Sequence, residues 1–353
     1  MKELFEVKKV DKEFYESKLK DFLPSKMIDI HTHVWQEGAR TNDQLSLDRC
    51  VTWPELVAKD NPIEDLAETY QLMFPDKKVT PLIFATTPDR NNEVIANKYV
   101  QDSGKKYGYP ALLFSMPEWP ADVLEAKIKE GGFLGIKCYL SLSPDYIPVR
   151  EIRIFDFFPK HHLEVLNRLG LILMLHIPRD GRLKDPVNIA QMMEIEEKYP
   201  DMKVIIAHVG RAYCPEDVGN AFEILSKTKN MRFDFCANTN EYVFEELIKA
   251  VGPKRILFGS DMPILRMRTR RICENGNYVN LVPKGLYGDV SGDKHMRELE
   301  KEEADKLTFF MYEEIDAFRR AAAATGLTAS DIEDVFYNNA KNLIESVGFV
   351  FKK

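Results

Sequence analysis

Short apolar runs recur along the chain, and each is followed by a segment in which apolar and polar positions alternate with the period of a helix. Eight runs are predicted to be buried β-strands, at 27–33, 79–87, 111–117, 132–140, 171–177, 203–210, 231–237 and 255–261. Several of the intervening segments end in Gly or Pro directly before the next run, as helices do. Strands that are apolar throughout and alternate with helices are typical of a parallel sheet covered by helices.

The number of repeats distinguishes two α/β architectures. Eight strand–helix units favour a closed (β/α)8 barrel, or TIM barrel, in a single domain. The alternative is an open doubly wound sheet, which usually carries a glycine-rich phosphate-binding turn after an early strand. Neither GxGxxG nor GxxxxGK[ST] occurs in the 353 residues, so we predict the barrel.

Three segments fall outside the repeat. Residues 1–26 are predicted to form an N-terminal helical extension, and residues 27–350 the barrel domain. Long loops are expected after the first strand, at 34–61, and after the eighth strand, at 264–298. Because loops at the C-terminal ends of barrel strands surround the active site, we expect these two loops to determine the choice of substrate.

Composition and charge narrow the class of protein. The chain is 44% hydrophobic and 30% charged, and its formal net charge of -7 argues against general affinity for nucleic acid or an anionic membrane. No signal peptide or membrane-spanning stretch is apparent. The five cysteines are dispersed without CxxC spacing, which is typical of a reducing compartment. We therefore expect a cytoplasmic protein with a small-molecule substrate, no nucleic-acid or membrane partner, and a homodimer as an open alternative.

The stretch "MIDIHTHVW" places two histidines at the end of the first predicted strand. Alternation along a strand puts His31 and His33 on one face together with Asp29. Asp29 would lie deeper in the strand, so we expect it to support a ligand or to form a buried salt bridge. Taken alone, the two histidines are either metal ligands or a polar strand end. Three further polar residues favour ligands, because they also follow predicted strands and a barrel would bring them together: His176, His208 and Asp261.

Neutral imidazoles and a carboxylate are the ligands that zinc, iron and manganese prefer in proteins. A metal ion that keeps one coordination position open can lower the pKa of a bound water from 15.7 to about 7. The spacing therefore predicts a metal-activated water at the mouth of the barrel.

Four motifs in order, "DIHTH", "MLHIP", "IIAHVGR" and "ILFGSDMP", resemble the amidohydrolase superfamily over residues 27–347. They are most similar to the amidohydrolase-related branch, which includes aminocarboxymuconate semialdehyde decarboxylases and dicarboxylate lactonases. The resemblance implies metal ligation by His31, His33, His176 and Asp261. It also implies catalytic roles in proton transfer for Asp261 and His208.

The resemblance implies one of two alternative roles for Lys137. In two-metal relatives a carboxylated lysine of the fourth strand bridges the ions, and an unmodified lysine would instead bind a substrate carboxylate. We expect one divalent ion, with zinc the first candidate, and two ions as the alternative if Lys137 is carboxylated. Lys137 is therefore a predicted substrate-binding residue. Arg211, which ends the motif "IIAHVGR", is the second predicted substrate-binding residue. The run "RMRTRR" at 266–271 is either a solvated face or a second carboxylate clamp.

Three hypotheses for function follow. The first is a metal-dependent hydrolase that acts on a small carboxylated organic compound through a metal-activated water. The second keeps the same site and is a non-oxidative decarboxylase, a carbon–carbon lyase. The third is a non-catalytic barrel that binds a ligand, and it ranks last because the full set of expected ligands is present.

Overall fold

The computed structural model describes residues 4–36, 49, 53–87 and 92–351. Its core consists of eight parallel strands, each lying within a predicted apolar run or beginning one residue before it. The strands are β1 Lys26–His33, β2 Lys78–Phe84, β3 Leu113–Phe114, β4 Gly135–Lys137, β5 Ile172–Leu175, β6 Lys203–Ile206, β7 Arg232–Asp234 and β8 Ile256–Leu257. The prediction of eight strands is confirmed, although most strands are shorter than the runs.

The strands are neighbours in chain order. β1 pairs with β2, and β3 to β8 form a six-stranded parallel sheet. The backbone N–H of Ile83 in β2 donates to the carbonyl of Pro110 ahead of β3, at 3.0 Å. On the other side, Ile30 N–H in β1 donates to Phe258 O directly after β8, at 3.0 Å. A doubly wound sheet reverses its strand order at a switch point, which this parallel α/β core does not do.

The connections carry helices that cover the strands. The α-helices are α1 Lys9–Phe14, α2 Ile63–Met73, α3 Glu93–Tyr107, α4 Ala121–Gly131, α5 Lys160–Leu169, α6 Pro186–Lys198, α7 Ala221–Leu225, α8 Glu241–Val251, α9 Lys301–Ala304, α10 Phe310–Thr325, α11 Ala329–Glu333 and α12 Asn339–Ser346. Two π-helical segments are Tyr15–Leu19 and Asp334–Asn338. The 3-10 turns are Trp53–Leu56, Leu140–Leu142, Val149–Glu151, Ile154–Asp156, Arg182–Lys184, Pro215–Asp217, Pro253–Arg255 and Ile264–Arg266.

Buried apolar side chains form two clusters on opposite faces of the strands. The larger cluster lies between the strands and the helices and includes Ile83 and Leu173. The smaller one joins side chains from the other face, such as Leu82 and Met174, and α12 contributes Leu343 and Ile344 to it. Strands buried on both faces explain why their sequences are apolar throughout rather than alternating.

The segment after β8 differs from the expected loop at 264–298. It contains a small sheet of β9 Arg270–Glu274, β10 Asn277–Pro283 and β11 Met296–Leu299. The turn between β9 and β10 is Asn275-Gly276, with φ of 52° and 71°. Asn-Gly between two short strands is a strong hairpin signal, and "CENGNYV" therefore carries information that the loop prediction did not use. Of the other expected loop, at 34–61, residues 37–48 and 50–52 lie outside the described residues.

Cys214 and Cys273 form a disulfide, although they are 59 residues apart in the sequence. The dispersed spacing gave no indication of this pair, because only the fold brings the two segments together. The expectation of a cytoplasmic location depended on cysteine usage, so it stays a prediction. No helix in the described ranges is long and apolar enough to cross a membrane.

The N-terminal helix α1 lies in the predicted extension 1–26, and a buried ion pair fastens it to the segment after β8. Asp11 accepts two hydrogen bonds from Arg268, at 2.8 and 2.6 Å, and one from Thr308 at 2.7 Å. The side chains of Asp11 and Arg268 are 0% and 7% exposed. The division into an extension and a barrel domain stays a prediction.

We expect Asp11→Ala to lower the free energy of unfolding by about 3–5 kcal/mol, because it leaves the buried Arg268 without its counter-charge. Urea denaturation measures this change. Glu13→Ala in the same helix removes only the exposed pair with Lys9 and should cost less than about 1 kcal/mol. Equal losses in the two variants would contradict the argument.

Candidate metal centre

A cavity opens at the C-terminal ends of the parallel strands. Its walls combine histidines, aromatic rings and a few charged groups. The described residues that line it include His31, His33, Trp35, Trp53, Lys137, Tyr139, His176, His208, Tyr213, Asp261, Arg271 and Tyr278. The structure therefore brings together every predicted metal ligand, both predicted proton-transfer residues and Lys137.

An irregularity in β1 determines which of its side chains reach the cavity. The pairing with β2 shifts between Asp29, opposite Pro81, and Thr32, opposite Ile83, so β1 carries one extra residue. Simple alternation predicted that Asp29 shares a face with His31 and His33, and this is wrong. The extra residue breaks the alternation, and Asp29 lies outside the cavity lining.

Asp29 instead supports the backbone behind the site. Its Oδ1 accepts from the backbone N–H groups of His31 (3.2 Å) and Ser260 (2.9 Å), and its Oδ2 accepts from the hydroxyl of Tyr70 at 2.7 Å. Burial raises the pKa of Asp29 to about 7, although these hydrogen bonds oppose the rise. The carboxyl thus joins β1 to the residue before Asp261.

Two imidazoles and one carboxylate converge in the cavity. The ligand atoms of His31, His33 and Asp261 all lie within 4.8 Å of one another. Oδ1 of Asp261 is 3.2 Å from Nε2 of His33 and 3.5 Å from Nε2 of His31. Nε2 of His31 is buried and has no hydrogen-bond partner among the described residues. An orphaned imidazole nitrogen beside a carboxylate fits a divalent ion.

The other nitrogen of each imidazole is held by an acceptor. Nδ1 of His31 lies 3.0 Å from Oδ2 of Asp234, and Nδ1 of His33 lies 3.0 Å from the carbonyl of Ala85. Metal-ligating histidines nearly always donate their second N–H in this way, which fixes the tautomer and the ring orientation. Both rings therefore direct Nε2 into the cavity.

Asp234 was missed by the sequence analysis. Besides His31, it accepts from the backbone N–H of His208 at 2.7 Å and from Sγ of Cys236 at 2.9 Å. Asp234 lies in the middle of the predicted run 231–237, and only the structure shows that the seventh strand ends there. The available signal was a carboxylate that interrupts an apolar run, as His31 interrupts the first run. Asp234 couples the first, sixth and seventh strands behind the cavity.

Cys236 extends this support. Its Sγ is 3.3 Å from Nδ1 of His31 and 3.1 Å from Nδ1 of His208, so these three residues form a second group with metal-binding potential. However, Nδ1 of His31 faces Asp234, and Nδ1 of His208 lies 3.1 Å from the carbonyl of Cys236. Because both Nδ1 atoms already have acceptors, we infer that Cys236 holds the two imidazole rings in place and does not form a second metal site.

His208 is presented by an unusual turn. Residues 208 to 211 all have left-handed backbone angles, with φ of 56°, 49°, 60° and 59°. Such a conformation is costly for non-glycine residues, above all for β-branched Val209, and it is concentrated at functional sites. The turn brings Nε2 of His208 to 4.0 Å from Oδ2 of Asp261. Asp261 itself has φ of 56°.

His176 follows β5 directly and also lines the cavity. Its ring centroid is 4.9 Å from that of His208 and 4.8 Å from that of Tyr139. Its Nδ1 is buried without a hydrogen-bond partner in the described part of the chain. His176 is nevertheless outside the three-residue group formed by His31, His33 and Asp261.

The protonation states suit metal binding. Burial lowers the pKa values of His31 and His176, and it lowers that of His208 to about 4. Burial raises the pKa of Asp261, but the hydrogen bond with His33 and the electrostatic interaction with the surrounding imidazoles outweigh it and hold the pKa below its usual range. Neutral imidazoles and an ionised carboxylate are the forms that ligate metals.

The two predicted substrate-binding cations have different surroundings. Lys137 is 2% exposed, lines the cavity, and its Nζ has no hydrogen-bond or ion-pair partner among the described residues. Burial lowers the pKa of Lys137, although Asp261 and Asp234 oppose this. Arg211 differs from our expectation, because it lies outside the cavity lining and donates to the carbonyls of Ile177 and Pro178.

The arginines of the run at 266–271 also lie in different surroundings. Arg268 pairs with Asp11, and Arg270 lies 3.6 Å from Glu313. Arg271 is the member of this run that lines the cavity. Arg268 and Arg270 therefore form ion pairs outside the cavity, and Arg271 contributes a cation to the site.

Comparison with known proteins agrees with this geometry. The model of the family described as Amidohydrolase matches residues 28–271. No curated protein sequence matches the chain. An amidohydrolase from Burkholderia multivorans with bound zinc has a TM-score of 0.57 at 10% identity, covering 90% of this chain and 99% of that one.

Two further structures have similar folds. A dihydroxybenzoic acid decarboxylase from Polaromonas sp. JS666 with bound manganese has a TM-score of 0.53 at 17% identity, covering 91% of this chain and 97% of that one. A 4-oxalomesaconate hydratase from Rhodopseudomonas palustris has a TM-score of 0.53 at 18% identity, covering 90% and 95%. At identities this low, the likeness concerns the fold.

We expect Asp234→Asn to weaken divalent-metal affinity by about 10- to 100-fold, because the amide loses the charged acceptor that orients His31. Competition with a chromogenic chelator measures the affinity. Asp316→Asn is the matched control, since Asp316 is a 2% exposed carboxylate on α10 that pairs with Arg319. It should leave metal affinity unchanged. A similar loss in both variants would show that Asp234 acts only through general stability.

Proposed function

This chain belongs to the amidohydrolase family, and from that premise we propose that it is a metal-dependent hydrolase of a small carboxylated compound. The observation that carries the proposal is the convergence of His31, His33 and Asp261, with both imidazoles oriented from behind. Such a donor set is suited to catalysis because three converging groups leave coordination positions for a further protein ligand and for a water, and a catalytic zinc ion can expand to five ligands.

We also propose that the eight strands close into one barrel. The backbone hydrogen bonds between β1 and the segment after β8 support this, with His33 N–H donating to Met262 O at 2.9 Å. The second apolar cluster supports it too, because side chains from β1, β2, β5, β6 and β8 pack together, with α12, on the face opposite the larger cluster. Closure is the arrangement in which that face becomes an interior.

His31, His33 and Asp261 would hold the ion, with His176 as the additional ligand on the neighbouring wall. A divalent ion bound there would polarise a carbonyl group and lower the pKa of a water molecule. We favour a single ion with zinc as the first candidate; similar folds carry zinc or manganese. The two-ion alternative requires carboxylation of Lys137, and a metal content near two per chain would reveal it.

Asp261 and His208 would transfer the proton of the attacking water. Asp261 is ionised and accepts the proton released by the attacking water. His208 is within 4.0 Å of Asp261, so its Nε2 can take that proton on and donate it to the leaving group. Lys137 is buried on the cavity wall, where its Nζ lies 5.4 Å from the ring of Phe84 and has no hydrogen-bond or ion-pair partner among the described residues, so it would neutralise an anionic group of the substrate.

The second candidate is a non-oxidative decarboxylase. The charges of the described lining suit this reaction as well, because the lining contains two cations, Lys137 and Arg271, and one carboxylate, Asp261. A cavity with excess positive charge holds a carboxylated substrate in either reaction. In the lyase, His208 or Asp261 would deliver the proton that replaces carbon dioxide.

Incubation of the metal-loaded protein with aromatic and dienoic carboxylic acids, their esters and their lactones separates the two reactions. We expect acid production from an ester or lactone without carbon dioxide release. Carbon dioxide released in step with substrate loss would instead identify the lyase. Product analysis by NMR together with carbon dioxide trapping reads both outcomes in one experiment.

Two histidine variants test the assigned roles. We expect His33→Ala to lose bound metal and activity together, since it removes one of three converging ligands. His208→Asn should retain the metal and lower kcat by about 10²- to 10⁴-fold, because only proton transfer is affected. Plasma emission spectrometry gives the metal content. Full metal loading of His33→Ala with unchanged turnover would refute the centre.

A further inference from the structure

We propose that Arg271 binds a carboxylate of the substrate. This inference deepens the proposed function and rests on it. It concerns the wall of the cavity formed by β9 and β10, and it adds a substrate contact that neither Lys137 nor Arg211 provides.

Arg271 carries a buried charge without a directly paired carboxylate. It is 8% exposed, its Nε donates to Oδ1 of Asn280 at 2.8 Å, and its Nη1 donates to the carbonyl of Ala237. Among the described residues, Nη2 has no hydrogen-bond partner, and no carboxylate lies within ion-pair distance; the buried carboxylate of Glu314 attracts the cation only from further away. Burying a guanidinium without a paired counter-charge is costly, so this geometry is suited to an anion that arrives with the substrate.

Aromatic rings surround the guanidinium of Arg271. Four rings lie close to its central carbon: Tyr278 at 4.4 Å, Phe310 at 4.5 Å, Tyr213 at 5.0 Å and Trp53 at 5.9 Å. The rings stabilise the cation and reduce its contact with water, which strengthens a charge-assisted hydrogen bond to a carboxylate. The ring of Tyr278 is itself stacked on His295, with the centroids 4.1 Å apart, so this wall of the cavity is closely packed.

Arg271 lies in the same cavity as the metal centre. The ring of Tyr213 lies 5.0 Å from the guanidinium carbon of Arg271 and 6.3 Å from the ring of His208. Arg271 and the proton-transfer residue are therefore both close to one aromatic ring, and a carboxylate bound to Arg271 would belong to a molecule in the cavity that holds the metal ligands.

The wall is also held in place. Cys214, next to Tyr213, is joined by the disulfide to Cys273, two residues after Arg271. Asn280 and Ala237 fix two of the three guanidinium nitrogens. The third nitrogen is therefore presented in a fixed direction, and little ordering cost remains when an anion binds.

Calorimetric titration of the zinc-loaded full-length protein tests the proposal with two matched pairs of ligands. The pairs are isophthalate with 3-carbamoylbenzoate and terephthalate with 4-carbamoylbenzoate, in which the second carboxylate becomes an isosteric amide. One carboxylate is available to the metal in every ligand. We expect the wild type to prefer the dicarboxylate of at least one pair by about 10- to 100-fold.

Three variants test whether Arg271 is responsible for the preference for the dicarboxylate. Arg271→Gln should abolish it, whereas Arg270→Gln should retain it, because Arg270 is the neighbouring residue of β9 and its side chain is 52% exposed. Asn280→Asp leaves Arg271 in place but supplies it with an internal carboxylate at Nε. It should reduce the preference without removing a cavity residue, and it keeps the test valid if Arg271→Gln fails to fold.

The outcomes are distinct from those of the proposed function. Absence of a preference in the wild type, or a preference that survives both Arg271→Gln and Asn280→Asp, overturns the role of Arg271. Zinc content measured on the same samples tests the metal centre independently. A preference that depends on Arg271 in a chain that binds no zinc would support the anion site and refute the metal-dependent hydrolase.

Discussion

The contact between Nδ1 of His31 and the carboxylate of Asp234 is the interaction on which the cavity depends. It fixes the ring of His31, and the same carboxylate accepts the backbone N–H of His208 and the thiol of Cys236. Asp29 plays a parallel role by joining the backbone of His31 to that of Ser260. Two fully buried carboxylates thus position residues from the first, sixth and eighth strands, because each buried oxygen must be satisfied by a donor.

Backbone strain is concentrated at the same place. His208 and Asp261 adopt left-handed conformations, and the irregularity in β1 lies between Asp29 and Thr32. Each departure from regular geometry re-aims a side chain at the cavity. The surrounding core, buried on both faces of the strands, holds these residues in conformations that an isolated peptide would leave.

The cavity combines metal-binding groups with a cation. Arg271 lines the same cavity as the histidines and Asp261, and its guanidinium carbon lies 5.0 Å from the ring of Tyr213. The arginines near Arg271 in the sequence are neutralised elsewhere, Arg268 by Asp11 in α1 and Arg270 towards Glu313. The N-terminal helix therefore has an indirect role, because it removes one competing cation from the segment that forms the cavity wall.

The sequence by itself determined the eight strands, because strands buried on both faces must be apolar throughout. It also determined which polar residues end them, since His31, His33, His176, His208 and Asp261 each interrupt or follow an apolar run. Tertiary structure decided the rest. The extra residue in β1 turned Asp29 away from the cavity, and long-range contacts placed Arg211 on backbone carbonyls and Arg271 in the site. Some partners, such as Asp11 and Arg268, come from distant segments and leave no periodic signal along the chain. For that reason only the folded structure shows which charged residues pair with each other.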